Sequence, residues 1–314
     1  MAIKPQLTTW ALTFSASGDY DWQATFDAAV AADRAGVDRV ALTGEHVAFG
    51  EDLEAYSRPE LGGVKGGKQV TGPDGHYIEP IVTMSMIAAR TTRIRFLPNI
   101  MLAALRRPVV LAKMTATLDA LSGGRLDLGV GVGWQREEYG AAIVEFEKRG
   151  AVLDQTLEVC QLLWSEQRAS YASADLAFEN IHMMPKPANP DGIPIWVSGT
   201  MTAPAMRRLA RFGAGWIPWG DAATEKGLIE AIPRMREKVE EYGGDPVQIQ
   251  VAGNLPIVAG PDGAPLIGPT LERVPALAEA GVTDMRAMFP LPRDVSAAED
   301  YLAPWVEGFR EATS

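Results

Sequence analysis

One cysteine among 314 residues rules out an internal disulfide. That residue, Cys160, falls at helical spacing with Leu153, Leu157, Leu163 and Trp164, and so reads as a small core side chain rather than a reactive thiol. Histidine is nearly as scarce, with three copies, and no group of His, Cys, Asp and Glu has the spacing of a zinc site, so a metal centre is not expected. No uninterrupted apolar run approaches the roughly 20 residues needed to cross a bilayer. The first residues, Met1-Ala2-Ile3-Lys4-Pro5-Gln6, lack the basic-then-apolar order of a secretory leader, which makes the cytoplasm the expected compartment. Basic residues are outnumbered, 29 Lys and Arg against 40 Asp and Glu, for a net charge of −11. That is the wrong sign for gripping a phosphate backbone, so a nucleic-acid partner is not expected either.

What is present is a globular composition, 47% hydrophobic and 22% charged, long enough to bury a large core. Strand-like runs at residues 6–14, 38–45, 94–101, 125–132, 193–198, 215–219, 247–255 and 284–289 alternate with helical runs at 22–35, 79–90, 108–121, 150–165, 203–212, 224–242, 270–280 and 297–311. Eight alternations are the count of a closed (β/α)₈ barrel, and a doubly wound sheet needs fewer strands. No shift of composition separates two regions, so one domain over residues 1–314 is expected. The two long insertions, a glycine-rich one at 47–78 after strand two and one after strand four with a hairpin pattern at 166–190, are expected at the carboxyl-terminal mouth, where barrels carry their chemistry.

The fourth strand organises this reading. Leu126, Leu128, Val130 and Val132 share one face, and Asp127, Gly129, Gly131 and Gly133 share the other. Glycine weakens a strand interior and is tolerated where something must approach the backbone closely. The last two glycines lead directly into Trp134, Gln135 and Arg136, residues able to wall a pocket at the mouth.

Leu121-Ser122-Gly123-Gly124-Arg125, running into Gly129-Val130-Gly131-Val132-Gly133-Trp134 and Glu137-Glu138-Tyr139, resembles the luciferase-like superfamily of flavin- and deazaflavin-dependent oxidoreductases. Further matching stretches extend over most of the chain, among them Thr91-Thr92-Arg93-Ile94-Arg95, Pro194-Ile195-Trp196-Val197-Ser198-Gly199 and Gly213-Ala214-Gly215-Trp216. The resemblance is closest to the branch that uses coenzyme F420, and it implies a (β/α)₈ barrel, a homodimer and a small-molecule substrate. Other branches use FMN with oxygen and draw on a partner flavin reductase, which keeps an FMN-dependent monooxygenase as the alternative. The Ser-Gly-Gly-Arg turn itself belongs to the stability face at the barrel bottom.

The resemblance also implies site residues. Glu45 and His46 end strand two, where F420 enzymes carry an acidic–histidine pair beside the deazaflavin ring, and histidine can hold or deliver a proton near neutral pH. Pro98 within strand three removes a ladder donor and marks a bulge, and Asn99 and Ile100 are the residues expected to prop the ring. Gly131, Gly133 and Trp134 would border it. Phosphate would be held at helix amino termini by Ser198, Gly199 and Thr200 after strand five, and by Trp219 and Gly220 after strand six. Trp134 stands where the sugar-phosphate dehydrogenases of the branch carry a glutamate acid, which argues against that activity here. Glu137 and Glu138 read as the solvated start of a helix. Arg58, Lys65 and Lys68 read as surface charges or as contacts for the anionic tail of F420. His76 and His182 read as surface or local structural residues.

Overall fold

Short runs rich in branched and aromatic residues, each closed by glycine, proline or a polar residue, make eight strands in the computed structural model, which describes residues 3–314. Met1 and Ala2, part of the stretch read for a leader, lie outside the described residues. The barrel strands are β1 (Gln6–Ala11), β2 (Arg39–Thr43), β3 (Arg95–Asn99), β4 (Leu128–Val130), β5 (Ile195–Gly199), β6 (Gly213–Pro218), β7 (Gln250–Asn254) and β8 (Asp284–Ala287). All pair in parallel, in the order β3-β2-β1-β8-β7-β6-β5-β4. Bridges Phe96–Leu126 and Met101–Val130 join β3 to β4 and close the cylinder. The expected (β/α)₈ barrel is therefore the observed one.

Three local expectations give way. Strand one stops at Ala11, and Phe14–Ser15 forms a separate antiparallel pair with His76–Tyr77 at the mouth. The helix read over 270–280 divides into Ile267–Leu271 and Val274–Glu279. Pro275 is the cause, because its ring removes a helical donor and clashes with the carbonyl one turn back. The hairpin Ala169–Ala172 with Ala177–Ile181 does form, but it follows the helix Arg149–Ser165 and so belongs to the opposite end of the barrel. There Ala188 N–H donates to Asp119 Oδ2 beside the Gly123-Gly124 turn. Only residues 131–148 of that insertion stand at the mouth.

The two faces of β4 separate as the alternation requires. Leu126, Leu128 and Val130 are fully buried in the layer between strands and helices. Asp127 enters the barrel, where a layer of charge fills its lower end: Arg39 donates to Asp127 Oδ2 at 2.8 Å and Asp284 Oδ1 at 2.6 Å, Arg286 Nε to Asp284 Oδ2 at 2.6 Å, and Arg95 to Asp127 Oδ1 at 2.7 Å. Above it lie Leu97, Trp196, Ile217 and Ala252, with the Trp196 ring 4.8 Å from the Arg39 guanidinium carbon.

The glycine face of β4 is less open than its sequence implies. A Cβ on Gly129 would stand 2.1 Å from the Pro98 carbonyl oxygen, and one on Gly131 would stand 2.7 Å from Ile100 Cδ1. What approaches the backbone is the bulge of β3 itself. A Gly129→Ala protein is expected to lose about 3 kcal/mol, since the obstacle is backbone and cannot rotate away. Urea unfolding checks this, and an unchanged midpoint would mean that β3 moves freely.

Candidate functional site

Above the apolar layer the barrel opens into a cavity of about 690 Å³ at the carboxyl ends of the strands, within the range of small-molecule and cofactor sites. Its floor is Ile100, Gly131, Ser198, Ile217, Ala252 and Arg286. Asn99–Ile100 is a cis peptide bond, so the distorted bond in the Pro98 bulge lies one residue beyond the proline. Asn99 is held from two sides, its side-chain oxygen accepting from Arg286 Nη1 at 2.8 Å and its carbonyl from Gly44 N–H at 2.9 Å.

The segment 47–78 covers the mouth. Trp219 Nε1–H donates to Gly62 O at 3.1 Å, and Tyr56 packs edge-on against Trp134 and Trp219, with ring centroids at 5.4 and 6.3 Å. Gly62 has φ of +103°, and a Cβ there would lie 2.7 Å from Gly133 O, so this contact requires glycine. Burial pushes the hydroxyls of Tyr56 and Tyr77 above their ordinary range, leaving both as neutral donors.

His46 stands on the wall, its ring bounded by Phe49, Tyr77 and Trp134 at centroid distances of 4.1, 5.0 and 5.7 Å. Its side chain is 10% exposed. Glu45, read as its acidic companion, borders the cavity but its carboxylate is occupied. It accepts from Leu102 N–H at 2.6 Å and from both terminal nitrogens of Arg106, which also pairs with Glu79 at 2.7 Å. Burial raises the Glu45 carboxyl, and the Arg106 charge and these hydrogen bonds pull against it. The group beside the His46 ring is instead Glu138, whose Oε2 lies 3.4 Å from Nδ1. Glu138 is 2% exposed, which corrects its reading as a solvated helix start: the helix Arg136–Ala141 turns that face inward.

The cavity lining also carries two arginines. Arg149, Arg208 and the amino-terminal turn of the helix Ala203–Phe212, through Thr202, Pro204 and Ala205, line it. Arg208 is engaged by Asp154 at 2.5 Å and by Gly150 O. Arg149 stacks 3.8 Å over Phe146, donates to Leu61 O and Phe146 O, and keeps a buried Nε without a partner among the described residues. Glu60 and Glu147 line the same cavity, so the two guanidinium groups stand there beside carboxylates as well as a helix amino terminus.

Of the residues read from sequence, Glu45, His46, Asn99, Ile100, Gly131, Gly133, Trp134, Ser198, Gly199, Thr200 and Trp219 all line this cavity. Gly220 does not. It turns the chain with φ of +66° after Trp219. Arg58, Lys65 and Lys68 are exposed and lie outside the lining, Arg58 reaching toward Asp52 at 3.4 Å. His76 and His182 are exposed. Sequence reading missed Gln69, Tyr56, Tyr77, Arg149, Arg208 and Arg286. The signal available for Arg286 was a second charge two residues after Asp284 in an otherwise apolar strand. No cluster of potential metal ligands occurs among the described residues, and no helix among them is long and apolar enough to cross a membrane.

Residues 7–265 match the family described as luciferase-like monooxygenase. An uncharacterised protein of Mycobacterium tuberculosis is 31% identical over 238 residues, 75% of this chain and 77% of that one. The F420-dependent glucose-6-phosphate dehydrogenase of Kineococcus radiotolerans is 29% identical over 180 residues, 56% of this chain and 52% of the relative. Among solved structures, an F420-dependent secondary alcohol dehydrogenase with an F420–acetone adduct superposes with a TM-score of 0.72 at 16% identity, covering 98% of this chain and 100% of the other. The FMN-bound oxygenating constituent of 3,6-diketocamphane monooxygenase from Pseudomonas putida gives 0.65 at 16% identity, covering 100% and 98%. The glycine strand, the bulge opposite it and the mouth cavity thus belong to a chain of the luciferase-like monooxygenase family, whose members are oxidoreductases.

Proposed function

We propose that this protein is an oxidoreductase that binds coenzyme F420 without covalent attachment and exchanges a hydride with a small, largely apolar organic substrate. The observation that carries the reading is that one cavity joins an apolar, aromatic wall at His46 to the guanidinium groups of Arg149 and Arg208 beside the first turn of Ala203–Phe212. A flat ring with an anionic tail needs both. The buried, unpartnered Nε of Arg149 fits an anion that completes its hydrogen bonding. The ring would rest against Ile100 and Gly131, and phosphate would meet Ser198, Gly199, Thr200 and the first turn of Ala203–Phe212. When bound, the deazaflavin supplies the hydride acceptor or donor. The chain's part is to exclude water through Tyr56, Trp134 and Trp219, and to hold or supply a proton at the His46 ring. The F420-dependent names of one sequence relative and one structural neighbour support this cofactor.

Titrating the purified protein with F420 and FMN side by side, with an oxygen electrode in the same cell, is the test. F420 is expected to bind in the low micromolar range or tighter, at about −8 kcal/mol, with FMN unbound and no oxygen uptake. Tight FMN binding with oxygen consumption on reduction would replace this reading with an FMN-dependent monooxygenase.

A further inference from the structure

Two buried polar atoms at the mouth lack any hydrogen-bond partner among the described residues and face each other: His46 Nδ1 and Glu138 Oε2, 3.4 Å apart. We infer that Glu138 and Gln69 are positioning residues that hold the His46 ring in one neutral tautomer, with the proton on Nδ1 toward Glu138 and the lone pair of Nε2 toward the cavity. The inference rests on the proposed role of His46 in proton transfer and assigns what that role leaves open, the state in which the ring meets its ligand.

The assignment follows from donors and acceptors. Gln69 Oε1 accepts from Val70 N–H at 3.1 Å, which fixes the direction of the amide. Its Nε2 lies 3.0 Å from His46 Nε2, and an amide nitrogen can only donate. His46 Nε2 must therefore accept, and the single proton of a neutral ring lies on Nδ1. That proton faces a carboxylate oxygen, whereas a bare Nδ1 would set a lone pair against it. A doubly protonated ring would set Nε2–H against the Gln69 amide hydrogens.

Glu138 is itself anchored. Its Oε1 accepts from Val47 N–H at 2.5 Å and Ala48 N–H at 3.4 Å, the two residues that follow His46 in the chain. One carboxylate so fixes both the backbone carrying the histidine and the ring's proton, while Phe49, Tyr77 and Trp134 fix the ring plane. The Gln69 amide occupies the position of a ligand donor. A substrate O–H or N–H that displaces it meets a ready acceptor, and a ring that takes up a proton at Nε2 gains a charge already faced by Glu138.

The chain has three histidines, so two-dimensional proton–nitrogen spectra of ¹⁵N-histidine-labelled protein, recorded where the ring is neutral, resolve each tautomer, and His46→Ala identifies the signal. The wild type is expected to show His46 protonated on Nδ1. In the double variant Glu138→Gln/Gln69→Leu the new amide oxygen keeps Val47 and Ala48, its NH₂ faces Nδ1, no amide hydrogen opposes Nε2, and the proton should move to Nε2. Gln69→Leu should leave the proton on Nδ1. With a substrate that the F420-loaded wild type turns over, Glu138→Gln should lower kcat roughly 10- to 100-fold. An Nε2-protonated ring in the wild type, or an Nδ1-protonated ring in Glu138→Gln/Gln69→Leu, overturns the inference. The wild-type and Gln69→Leu spectra decide the matter if Glu138→Gln/Gln69→Leu does not fold. Because the spectra need no cofactor, a protein that shows the expected tautomer but binds no F420 would keep the dyad and lose the proposed function.

Discussion

Asp284→Ala is expected to destabilise the protein by about 3–5 kcal/mol, a large share of the roughly 5–15 kcal/mol typical of a folded domain. The carboxylate is wholly buried and accepts from Arg39, Arg286 and the Thr8 hydroxyl. Its removal leaves two guanidinium groups in the barrel with one counter-charge, Asp127, between them and Arg95. Uncompensated buried charge, rather than lost attraction, makes this substitution severe. The same site sets a pH dependence. Burial by itself would raise the Asp284 carboxyl, but the Arg286 and Arg39 charges and the hydrogen bonds from Thr8 and Arg286 outweigh it and hold the group below the usual carboxylate range. A depressed folded-state pKa contributes stability that is fully present above the unfolded value, about 3.9, and is lost as pH falls through the lower folded value. Urea midpoints from pH 6 downward should therefore fall for the wild type below about pH 4 and fall less steeply for Asp284→Asn. Equal slopes, or an Asp284→Ala protein within 1 kcal/mol of wild type at neutral pH, would show that water enters this layer and screens it.

That layer also marks how far the sequence could be read. Periodicity found all eight strands because each buries an outward face against helices, and period two survives any register. It placed Leu126, Leu128 and Val130 correctly against the helical layer. It could not reveal that Asp127 meets Arg39, 88 positions away, and through it Asp284, because inward pairing depends on the tilt of the closed cylinder. The glycines of β4 were legible as a place of close approach. Their occupant was not, since the bulge at Pro98 belongs to another strand. Glu138 was misread for a definite reason: acidic residues in a first helical turn usually complement the dipole in solvent, and only the fold of 47–78 back over the barrel buries this one. Gln69 lies in a segment with no periodicity, and nothing local distinguishes it from a loop residue. The most legible site residues, His46, Asn99 and Gly131, stand on or next to strand ends, where topology alone fixes position.

His46→Ala is expected to reduce kcat by about a hundredfold to ten-thousandfold, the range ascribed to a positioned proton-transfer group, while leaving F420 affinity within about threefold. The separation follows from the contacts of the imidazole. Among the described residues, the ring contacts of His46 are with Phe49, Tyr77 and Trp134 and its side-chain hydrogen bond is with Gln69, and none of these involves the proposed ring bed of Ile100 and Gly131 or the arginines Arg149 and Arg208. Removing the histidine opens space where the proposed substrate would lie and deletes the imidazole proposed to hold or supply the proton there. Glu45 cannot take over, since Leu102 N–H and Arg106 occupy its oxygens, and Glu138 would have to release Val47 and Ala48 and cross the vacated site. A substrate that the wild type turns over, assayed at saturating F420 with the binding constant measured separately, distinguishes the outcomes. Unaltered kcat would remove the histidine from the chemistry and leave proton exchange to solvent at the mouth. A collapse of F420 affinity with kcat preserved would instead place the imidazole against the cofactor and return the proton's source to Tyr56 or Tyr77, the remaining hydroxyls on that wall.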